Sequence, residues 1–303
     1  MEKIVSVIPN FCNGTDKELI DEISEKLKNI KDLVLMDVSM DSTRNRTVFA
    51  FSGTEDAIFK GGFFLYERAL KDIDMRSHKG EYPRIGALDV FPFVPLKDTP
   101  IEECVVLSEK FAKEVAEKFN IPVYLFAESA KLSVRRDLEN IRDCEYEGIE
   151  ERLKKPSWKP DFGPDIFNAD FGATIIGARH PLVSFKVNLD SRDLKKAKSI
   201  CRDVQYSSGG LRYVKAYAGL IKETGFTEIT ISISNFTSTP PFKVIEMIRV
   251  MSKRFSVNIT DIEMIGLIPE RVFIDAAQFY MQIKDFKDER ILEKSLKDHF
   301  TCL

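Results

Sequence analysis

Apolar and polar positions along the first half of the chain predict strands that alternate with amphipathic helices. Four segments have the pattern of strands: residues 3–8, 33–38, 47–51 and 87–94. One helix follows the capping-box sequence Thr15-Asp16-Lys17-Glu18, with Thr15 as the expected cap, and a second runs from Thr54 to about Asp72. The predicted order is therefore β-α-β-β-α-β.

The second half of the chain repeats this order after an interruption. A helix over 99–119, a strand over 122–127 and a helical stretch over 136–153 precede a loop at 154–172, rich in proline, glycine and aromatic residues. Strands are then predicted at 182–189, 211–220, 227–234 and 257–266. Helices are predicted from a cap at Ser191 to about Tyr206, from Thr239, at 269–281 and at 289–300. We therefore predict an α+β protein of two ferredoxin-like subdomains, residues 1–178 and 179–303, with a ligand cleft or tunnel between them.

Composition narrows the class of protein. The 303 residues are 44% hydrophobic and 31% charged, as in ordinary soluble proteins, and no apolar run reaches membrane-spanning length. The N-terminus enters a strand pattern directly, without the core of a signal peptide. The five dispersed cysteines form no CxxC pair, which favours reduced thiols in the cytoplasm and argues against structural zinc. A net charge of −3 gives no support to nucleic-acid binding, and motifs for dinucleotides, ATP, an acyl-enzyme serine or catalytic zinc are missing.

Two stretches carry candidate chemistry. The loop His78-Lys79-Gly80-Glu81-Tyr82-Pro83-Arg84 precedes the fourth strand, and it is either an ordinary polar loop or a proton-transfer site in which Glu81 or Asp89 orients the His78 ring. The hairpin at 41–46 joins this site only if the fold places it next to the loop. The second stretch, residues 161–170, is either a linker whose aromatic side chains plug into both domains or a loop that lines a flat heteroaromatic ligand.

These residues also resemble a known family. The central signature of glutamate formimidoyltransferases is similar to His78-Lys79-Gly80-Glu81-Tyr82-Pro83-Arg84-Ile85-Gly86-Ala87-Leu88-Asp89-Val90. Further ordered matches occur at Val7-Ile8-Pro9-Asn10-Phe11, Asn45-Arg46-Thr47-Val48, Pro122-Val123-Tyr124-Leu125, Asp161-Phe162-Gly163-Pro164, Gly172-Ala173-Thr174 and Gly177-Ala178-Arg179. The resemblance therefore covers nearly the whole chain.

The resemblance implies transfer of a formimidoyl group from N-formimidoyl-L-glutamate to tetrahydrofolate as co-substrate, with no metal. It implies that His78 is the catalytic histidine. It also implies a folate-contacting segment at Asp161, Phe162, Gly163, Pro164, Asp165, Ile166, Phe167, Asn168, Ala169 and Asp170. Both substrates carry carboxylates, whose geometry arginine matches better than lysine, so the expected substrate-binding residues are Arg44, Arg46, Arg84 and Arg179.

One position departs from the family pattern. The resemblance implies an aspartate just after the second strand, but the sequence there is Asp37-Val38-Ser39-Met40-Asp41, with serine in the expected slot. Asp41 is the expected acidic partner of His78, and Asp37 is the alternative.

The resemblance also bears on partners and rival functions. It suggests a homodimer, and because the chain ends after the transferase portion, any cyclodeaminase would be a separate protein. The rival functions are a folate enzyme that acts mainly on 5-formyltetrahydrofolate or formylglutamate, and a non-catalytic protein that binds folate or RNA. The acidic balance and the missing RNP1-like motif argue against RNA.

Overall fold

The structure is a computed structural model that describes residues 4–96 and 99–296, the last two without their side chains. The chain divides into two compact units, Met1–His180 and Pro181–Leu303. Both are built from helices and one sheet, so the predicted α+β class is confirmed. The helix predicted at 289–300 lies partly outside the described residues, within which helix α9 spans Leu292–Leu296.

The first unit is built on a seven-stranded sheet. Its strands are β1 Val5–Val7, β2 Asn10–Phe11, β3 Leu33–Asp41, β4 Arg46–Gly53, β5 Leu88–Pro95, β6 Val123–Ala127 and β7 Thr174–Ala178. The short strands β1 and β2 both lie between β4 and β5 and are antiparallel to each, and β3 continues the sheet beyond β4. On the other side of β5, β7 and then β6 are added in parallel.

Three helices cover one face of this sheet: α1 Lys17–Lys28, α2 Glu55–Asp72 and α3 Ile101–Phe119. Thr54 caps α2, and the predicted start of this helix near Thr54 is confirmed. The cap of α1 is not Thr15, because the carboxylate of Asp16 accepts the hydrogen bond from the amide of Leu19. Aspartate at this position satisfies the same exposed amide and adds a negative charge at the positive end of the helix.

Aromatic side chains form the centre of this core. The rings of Phe91 on β5 and Phe111 on α3 lie 4.6 Å apart, and both side chains are fully buried. Gly62 on α2 leaves space for the Phe111 ring, because a Cβ atom there would lie 2.4 Å from the tip of that ring. The glycine pair in α2 therefore brings the helix close to its neighbours.

A second, smaller core covers the opposite face of β5, β6 and β7. It contains Tyr124 and Phe126 from β6 and Ile175 from β7, together with Ile141 and Ile149 from the segment that follows β6. The single helix predicted over 136–153 is wrong: the segment contains two short helices, α4 Leu138–Arg142 and α5 Ile149–Leu153, and single 3-10 turns. The sequence pattern did not predict β7, which ends the first predicted subdomain.

The second unit has a four-stranded antiparallel sheet with the order β11-β8-β10-β9. Its strands are β8 Val183–Leu189, β9 Val214–Leu220, β10 Thr227–Ile233 and β11 Ile259–Ile265, and its longer helices are α6 Leu194–Val204, α7 Pro241–Arg254 and α8 Glu270–Met281. The helix predicted from a cap at Ser191 begins later, because Asp193 caps it through the amide of Lys195. The unit has its own core, formed by residues such as Phe185, Ile200 and Ile248.

Candidate functional site

The His78 loop lies against the turn between β3 and β4. The amide of Asn45 donates from its side chain to the carbonyl of Lys79 at 3.0 Å, and the main-chain amide of Glu81 donates to the carbonyl of Thr43 at 3.3 Å. Gly80 makes this approach possible, because a Cβ atom there would lie 2.3 Å from the carbonyl oxygen of Arg44. The hairpin is therefore part of the candidate site.

The imidazole of His78 is held through both of its nitrogens. Nε2 lies 3.1 Å from the main-chain carbonyl of Asn45, and Nδ1 lies 3.3 Å from Nε of Arg84. Neither Glu81 nor Asp89 orients the ring, so that prediction is wrong. Glu81 is exposed, and the carboxylate of Asp89 accepts from the amide of Ile85 at 2.9 Å and pairs with Arg142.

The surroundings of His78 favour a neutral ring. Burial lowers its pKa below the usual value, and the positive charge of Arg84 acts in the same direction, while the bond to the Asn45 carbonyl opposes them. A ring with a lowered pKa is unprotonated at neutral pH, and it can accept a proton there.

Three arginines surround the ring of Tyr82. The guanidinium carbon of Arg46 lies 4.3 Å from the ring centroid, that of Arg142 5.3 Å and that of Arg44 5.6 Å. Arg142 is neutralised by the fully buried Asp89. Burial lowers the pKa of Arg46, and the charge of Arg142 lowers it further. Tyr82, four residues after His78 along the chain, therefore lies among three guanidinium groups.

The four predicted substrate-binding arginines have different surroundings. Arg44 pairs with Asp41 at 3.5 Å on the surface, and Arg84 is buried against Glu145 and Glu147. Arg46 lies within ion-pair distance of no carboxylate among the described residues. Arg179, at the end of β7, donates to the carbonyl of His180 at 3.0 Å, and burial lowers its pKa to about 10. Arg46 is thus the arginine beside the His78 loop that has a guanidinium free for an anion.

Asp41 and Asp37 lie on β3, the strand next to the hairpin turn. Asp41 accepts from the amide of Arg44 at 2.9 Å and so shapes the turn. Asp37 is exposed in the middle of the strand, at a register shift. Neither carboxylate contacts His78 directly in the structure, and the role of Asp41 as its acidic partner stays a prediction.

The loop at 161–170 is anchored at both ends. Asp161 accepts from the amide of Leu125 at 2.8 Å and pairs with the buried Arg135 at 2.7 Å. Asp170 pairs with Arg76 at 3.0 Å, and its carbonyl accepts from the amide of Met75. The end of the loop therefore lies next to the segment that leads to His78.

Between these anchors the loop packs closely on the first unit. A Cβ atom at Gly163, where φ is 83°, would lie 2.1 Å from the carbonyl oxygen of Ile121. The ring of Phe162 packs on the larger core, and that of Phe167 lies 5.5 Å from Tyr146. Ile166 is 71% exposed at the tip. The loop therefore has one exposed apolar side chain on a fixed base.

A polar cavity of about 180 Å³ opens beside His78. Its walls combine residues from the first strands, the hairpin and the end of α2: Cys12, Asn13, Thr15, Asn45, Asp72, Ile73, Asp74, Ser77 and His78. Burial raises the pKa of the Cys12 thiol well above its usual range, and the Asp89 charge raises it further, so Cys12 is a protonated wall residue.

Three residues of this site were missed in the sequence. Asn45 supplies the carbonyl for His78, and Arg142 and Glu147 supply charges around the loop. Asn45 has φ of 47°, a conformation that asparagine tolerates in turns, so the sequence Arg44-Asn45-Arg46 carried a local signal. Arg142 and Glu147 come from a distant segment, and no local pattern connects them to His78.

Comparison with known proteins places these features in a family. Residues 4–179 match the formiminotransferase domain, N-terminal subdomain, and residues 184–297 match the formiminotransferase domain. The chain is 38% identical to a glutamate formimidoyltransferase of Thermoplasma acidophilum, with 97% of each chain covered. It is 37% identical to one of Streptococcus pyogenes, over 98% of this chain and 99% of that protein.

Longer relatives match as well. The formimidoyltransferase-cyclodeaminase of Rattus norvegicus is 35% identical over 92% of this chain and 53% of that protein. An α+β chain with a half-buried histidine near several arginine side chains has the features of a group-transfer enzyme. The comparisons identify the kind of group-transfer enzyme, because they show that this chain belongs to the formiminotransferase family.

Neither a membrane-spanning helix nor a cluster of metal-ligating side chains occurs among the described residues. No helix in that part of the chain is long and apolar enough to cross a membrane. No group of three or more histidine, cysteine, aspartate or glutamate side chains among the described residues could hold a metal ion.

Proposed function

We propose that the chain acts as a glutamate formimidoyltransferase in histidine degradation. It transfers the formimidoyl group from N-formimidoyl-L-glutamate to tetrahydrofolate and yields 5-formimidoyltetrahydrofolate and L-glutamate. The observation that carries this proposal is the identity of 38% and 37% to relatives with that name, over 97% and 98% of this chain. The arginine side chains around Tyr82 and the neutral His78 are consistent with two carboxylate substrates and a proton transfer.

His78 is the proposed catalytic group. The N5 amine of tetrahydrofolate attacks the formimidoyl carbon and loses a proton, and the nitrogen of glutamate leaves and gains one. A single neutral histidine can accept the first proton and return it to the leaving nitrogen, so the cycle releases no net proton. Such acid–base catalysis typically contributes about 10²–10⁴-fold to the rate, and the alignment of the two substrates contributes the rest.

Arg46 is the proposed anchor for a substrate carboxylate, with Arg44 beside it and Arg179 as a further candidate. The free guanidinium of Arg46 above the Tyr82 ring supports this role. For the folate, we propose the loop at 161–170, which is supported by the family resemblance and by the exposed Ile166 at its tip. Asp41 remains the proposed acidic partner of His78. It belongs to the same hairpin as Asn45, whose carbonyl contacts the ring.

We also propose that the two units are ferredoxin-like subdomains, at 1–178 and 179–303, with the folate in a cleft between them. In the first unit β5, β1, β4 and β3 follow one another across the sheet, and in the second β11, β8, β10 and β9 do so. Both orders are expected for a β-α-β-β-α-β unit whose fourth and third strands flank the first. Strands β6 and β7 extend this arrangement.

Location and partners are proposed on similar grounds. Cys12, Cys104, Cys144 and Cys201 are free thiols, which supports a reducing cytoplasm, while Cys302 lies outside the described residues. The family resemblance supports a homodimer. We propose that the product formed on tetrahydrofolate is passed to a cyclodeaminase, because the longer relatives combine both names in one protein.

Glutamate release tests the proposed function. Purified protein is expected to release glutamate from N-formimidoyl-L-glutamate only when tetrahydrofolate is present. The variant His78→Ala is expected to keep its circular dichroism spectrum and to lose at least about 100-fold in kcat. Near wild-type turnover of this variant would refute the role of His78, and a preference for formylglutamate as donor would favour the rival folate activity.

A further inference from the structure

Arg84 uses its whole hydrogen-bonding capacity inside the protein. Nε donates to Nδ1 of His78 at 3.3 Å, and Nη2 donates to the carbonyl of His78 at 3.2 Å. Nη1 and Nη2 form a fork with Glu147 at 2.9 and 2.7 Å, and Nη1 also donates to Glu145 at 3.3 Å. A guanidinium group has five N–H donors. All five are therefore occupied by protein acceptors.

This occupancy conflicts with the role predicted for Arg84. A substrate carboxylate needs two parallel N–H groups of an arginine, and Glu147 already occupies that pair. The Arg84 side chain is also only 8% exposed. Binding a substrate carboxylate would require Arg84 to give up an existing ion pair.

We propose that Arg84 and Glu147 are positioning residues that fix the tautomer and orientation of His78, and that Arg84 is not a substrate clamp. The inference rests on the proposed function, because it gives the His78 ring its part in proton transfer. In the resting protein, Glu147 holds Arg84 and Arg84 holds His78.

The tautomer follows from the two neighbours of the ring. A carbonyl oxygen can only accept, so the Nε2 atom that contacts Asn45 carries the hydrogen. An arginine Nε can only donate, so the Nδ1 atom that contacts Arg84 is unprotonated. Both contacts select the same neutral form, and the lone pair of Nδ1 is the basic position.

The segment that carries Glu147 is shaped for this contact. Glu145 has φ of 51° and ψ of −176°, a backbone conformation that is strained for a residue other than glycine. This bend lets Glu145 and Glu147 both reach Arg84. Between them, the hydroxyl of Tyr146 donates to the carbonyl of Ala169 at 2.5 Å. The segment therefore connects the His78 site to the end of the loop at 161–170.

Protonation must disturb this arrangement. The lone pair of Nδ1 already accepts the Nε–H of Arg84, so this contact must open before Nδ1 can take a proton. Glu145 and Glu147 retain the guanidinium, so the imidazole ring is the part that turns away. The proton that Nδ1 takes from the attacking amine is returned to the leaving glutamate nitrogen, and the ring then regains its contact with Arg84.

Other charged and titratable groups also face His78, from each element packed around it. They are Arg84 on the same loop, Glu145 and Glu147 on the segment after α4, Asp89 on β5, Asp72 and Asp74 at the end of α2, and Cys12 after β2. Among these, Arg84 is a direct ring contact whose charge lowers the pKa of His78, and Glu147 raises it.

The test uses Arg84→Gln and Glu147→Gln, with Glu151→Gln as the matched control because Glu151 pairs with the exposed Lys154. Nitrogen-15 spectra of the histidine side chains are recorded against pH for the wild-type protein and each variant. The chain has three histidines, so His78 is assigned from His78→Ala. We expect the Nε2–H tautomer for wild-type His78, a higher pKa in Arg84→Gln, a lower pKa in Glu147→Gln, and no change in Glu151→Gln.

Kinetics give the second readout. The acidic limb of kcat/KM should move to higher pH in Arg84→Gln and to lower pH in Glu147→Gln, since His78 acts when unprotonated. In both variants kcat should fall about tenfold while KM for N-formimidoyl-L-glutamate changes less than about twofold. A tenfold rise in KM with an unmoved limb, or a wild-type ring protonated on Nδ1, would overturn the inference.

The proposal can be tested even if Arg84→Gln does not fold or the protein shows no turnover. Glu147 is 63% exposed, so Glu147→Gln should fold and carry the test even if Arg84→Gln does not. The spectra need no turnover. A wild-type protein that releases no glutamate but shows the expected tautomer and opposite pKa shifts would refute the proposed function and leave the positioning pair intact.

Discussion

Arg46 begins β4 next to the hairpin turn and Arg84 ends the His78 loop, and the two side chains have very different electrostatic surroundings. Arg84 has two carboxylate partners, whereas Arg46 has the face of the Tyr82 ring at 4.3 Å. A cation over an aromatic ring gains roughly 0.5–2 kcal/mol, but the ring leaves the N–H groups at the edge of the guanidinium free. Arg46 is therefore held in place without being neutralised.

The first prediction concerns this difference. Arg46→Lys should raise KM for N-formimidoyl-L-glutamate about tenfold or more with a smaller change in kcat, because lysine cannot form a forked pair with a carboxylate. Steady-state kinetics with varied donor concentration measure this effect. Arg44→Lys is the comparison, and a smaller rise in KM is expected there because Arg44 is exposed and already pairs with Asp41. An equal rise in KM for both variants would contradict a special role for Arg46.

At the residue scale, the sequence could identify chemical groups but not their partners. His78 stood out because ionisable residues and glycines surround it. Its real neighbours are the carbonyl of Asn45 and the side chain of Arg84, and Asp89, a plausible partner by sequence distance, pairs with Arg142 instead. Every residue has a main-chain carbonyl, so the sequence does not identify the one that contacts His78. Arg142 lies 53 positions away from Asp89. Neither contact leaves a local pattern.

At the scale of elements, the glycine pair of α2 determines how closely helices and sheet pack. A glycine inside a helix costs about 1 kcal/mol relative to alanine. At Gly62 the small residue is required, since a Cβ atom would lie 2.4 Å from Phe111 and 3.0 Å from Phe91. At Gly61 the nearest atom is the mobile end of Leu33, at 2.8 Å.

The second prediction compares alanine substitutions at Gly62 and Gly61. Gly62→Ala should lower the free energy of unfolding by about 1–2 kcal/mol, because overpacking of the aromatic core outweighs the gain in helix propensity. Gly61→Ala should change it by less than about 0.5 kcal/mol, because the end of a leucine can move. Urea unfolding of both variants measures the difference. A stability for Gly62→Ala at or above that of Gly61→Ala would show that the core around Phe111 can expand.

Periodic elements were largely predictable, and irregular ones were not. The alternating pattern of β10 and the amphipathic pattern of α1 survive in the structure because one face of each is buried. Strand β7 is buried along its whole length, so its sequence, Thr-Ile-Ile-Gly-Ala, lacks the alternation of apolar and polar residues that identifies a half-buried strand. The segment 136–153 was predicted as one helix, but it covers the sheet with short helices and turns whose arginines bind main-chain carbonyls, such as Arg152 with Ile141.

At the scale of the whole molecule, the two units have separate interiors. The clusters of buried apolar side chains lie within 1–180 or within 181–303. A chain of 180 residues with its own core is of the size at which single domains fold independently.

The third prediction follows from these separate interiors. A fragment of residues 1–180 should unfold cooperatively and show the Nε2–H tautomer of His78, because the contacts of the ring all lie within that unit. It should not transfer formimidoyl groups if the proposed cleft requires both units. Urea unfolding, nitrogen-15 spectra and glutamate release measure these properties. Full activity of the fragment would refute a shared cleft, and a fragment without cooperative unfolding would refute independent folding.

The contacts between the β3–β4 turn and the His78 loop also constrain changes in chain length. Exposed hairpin turns usually tolerate insertions better than other sites. Here the turn donates through Asn45 to the carbonyl of Lys79, accepts at Thr43 from Glu81, and leaves no room for a side chain at Gly80. One added residue in either segment would misalign these contacts and move His78. Insertion libraries and loop grafts should therefore treat the two segments as a single unit of fixed length, and change them together or leave both intact.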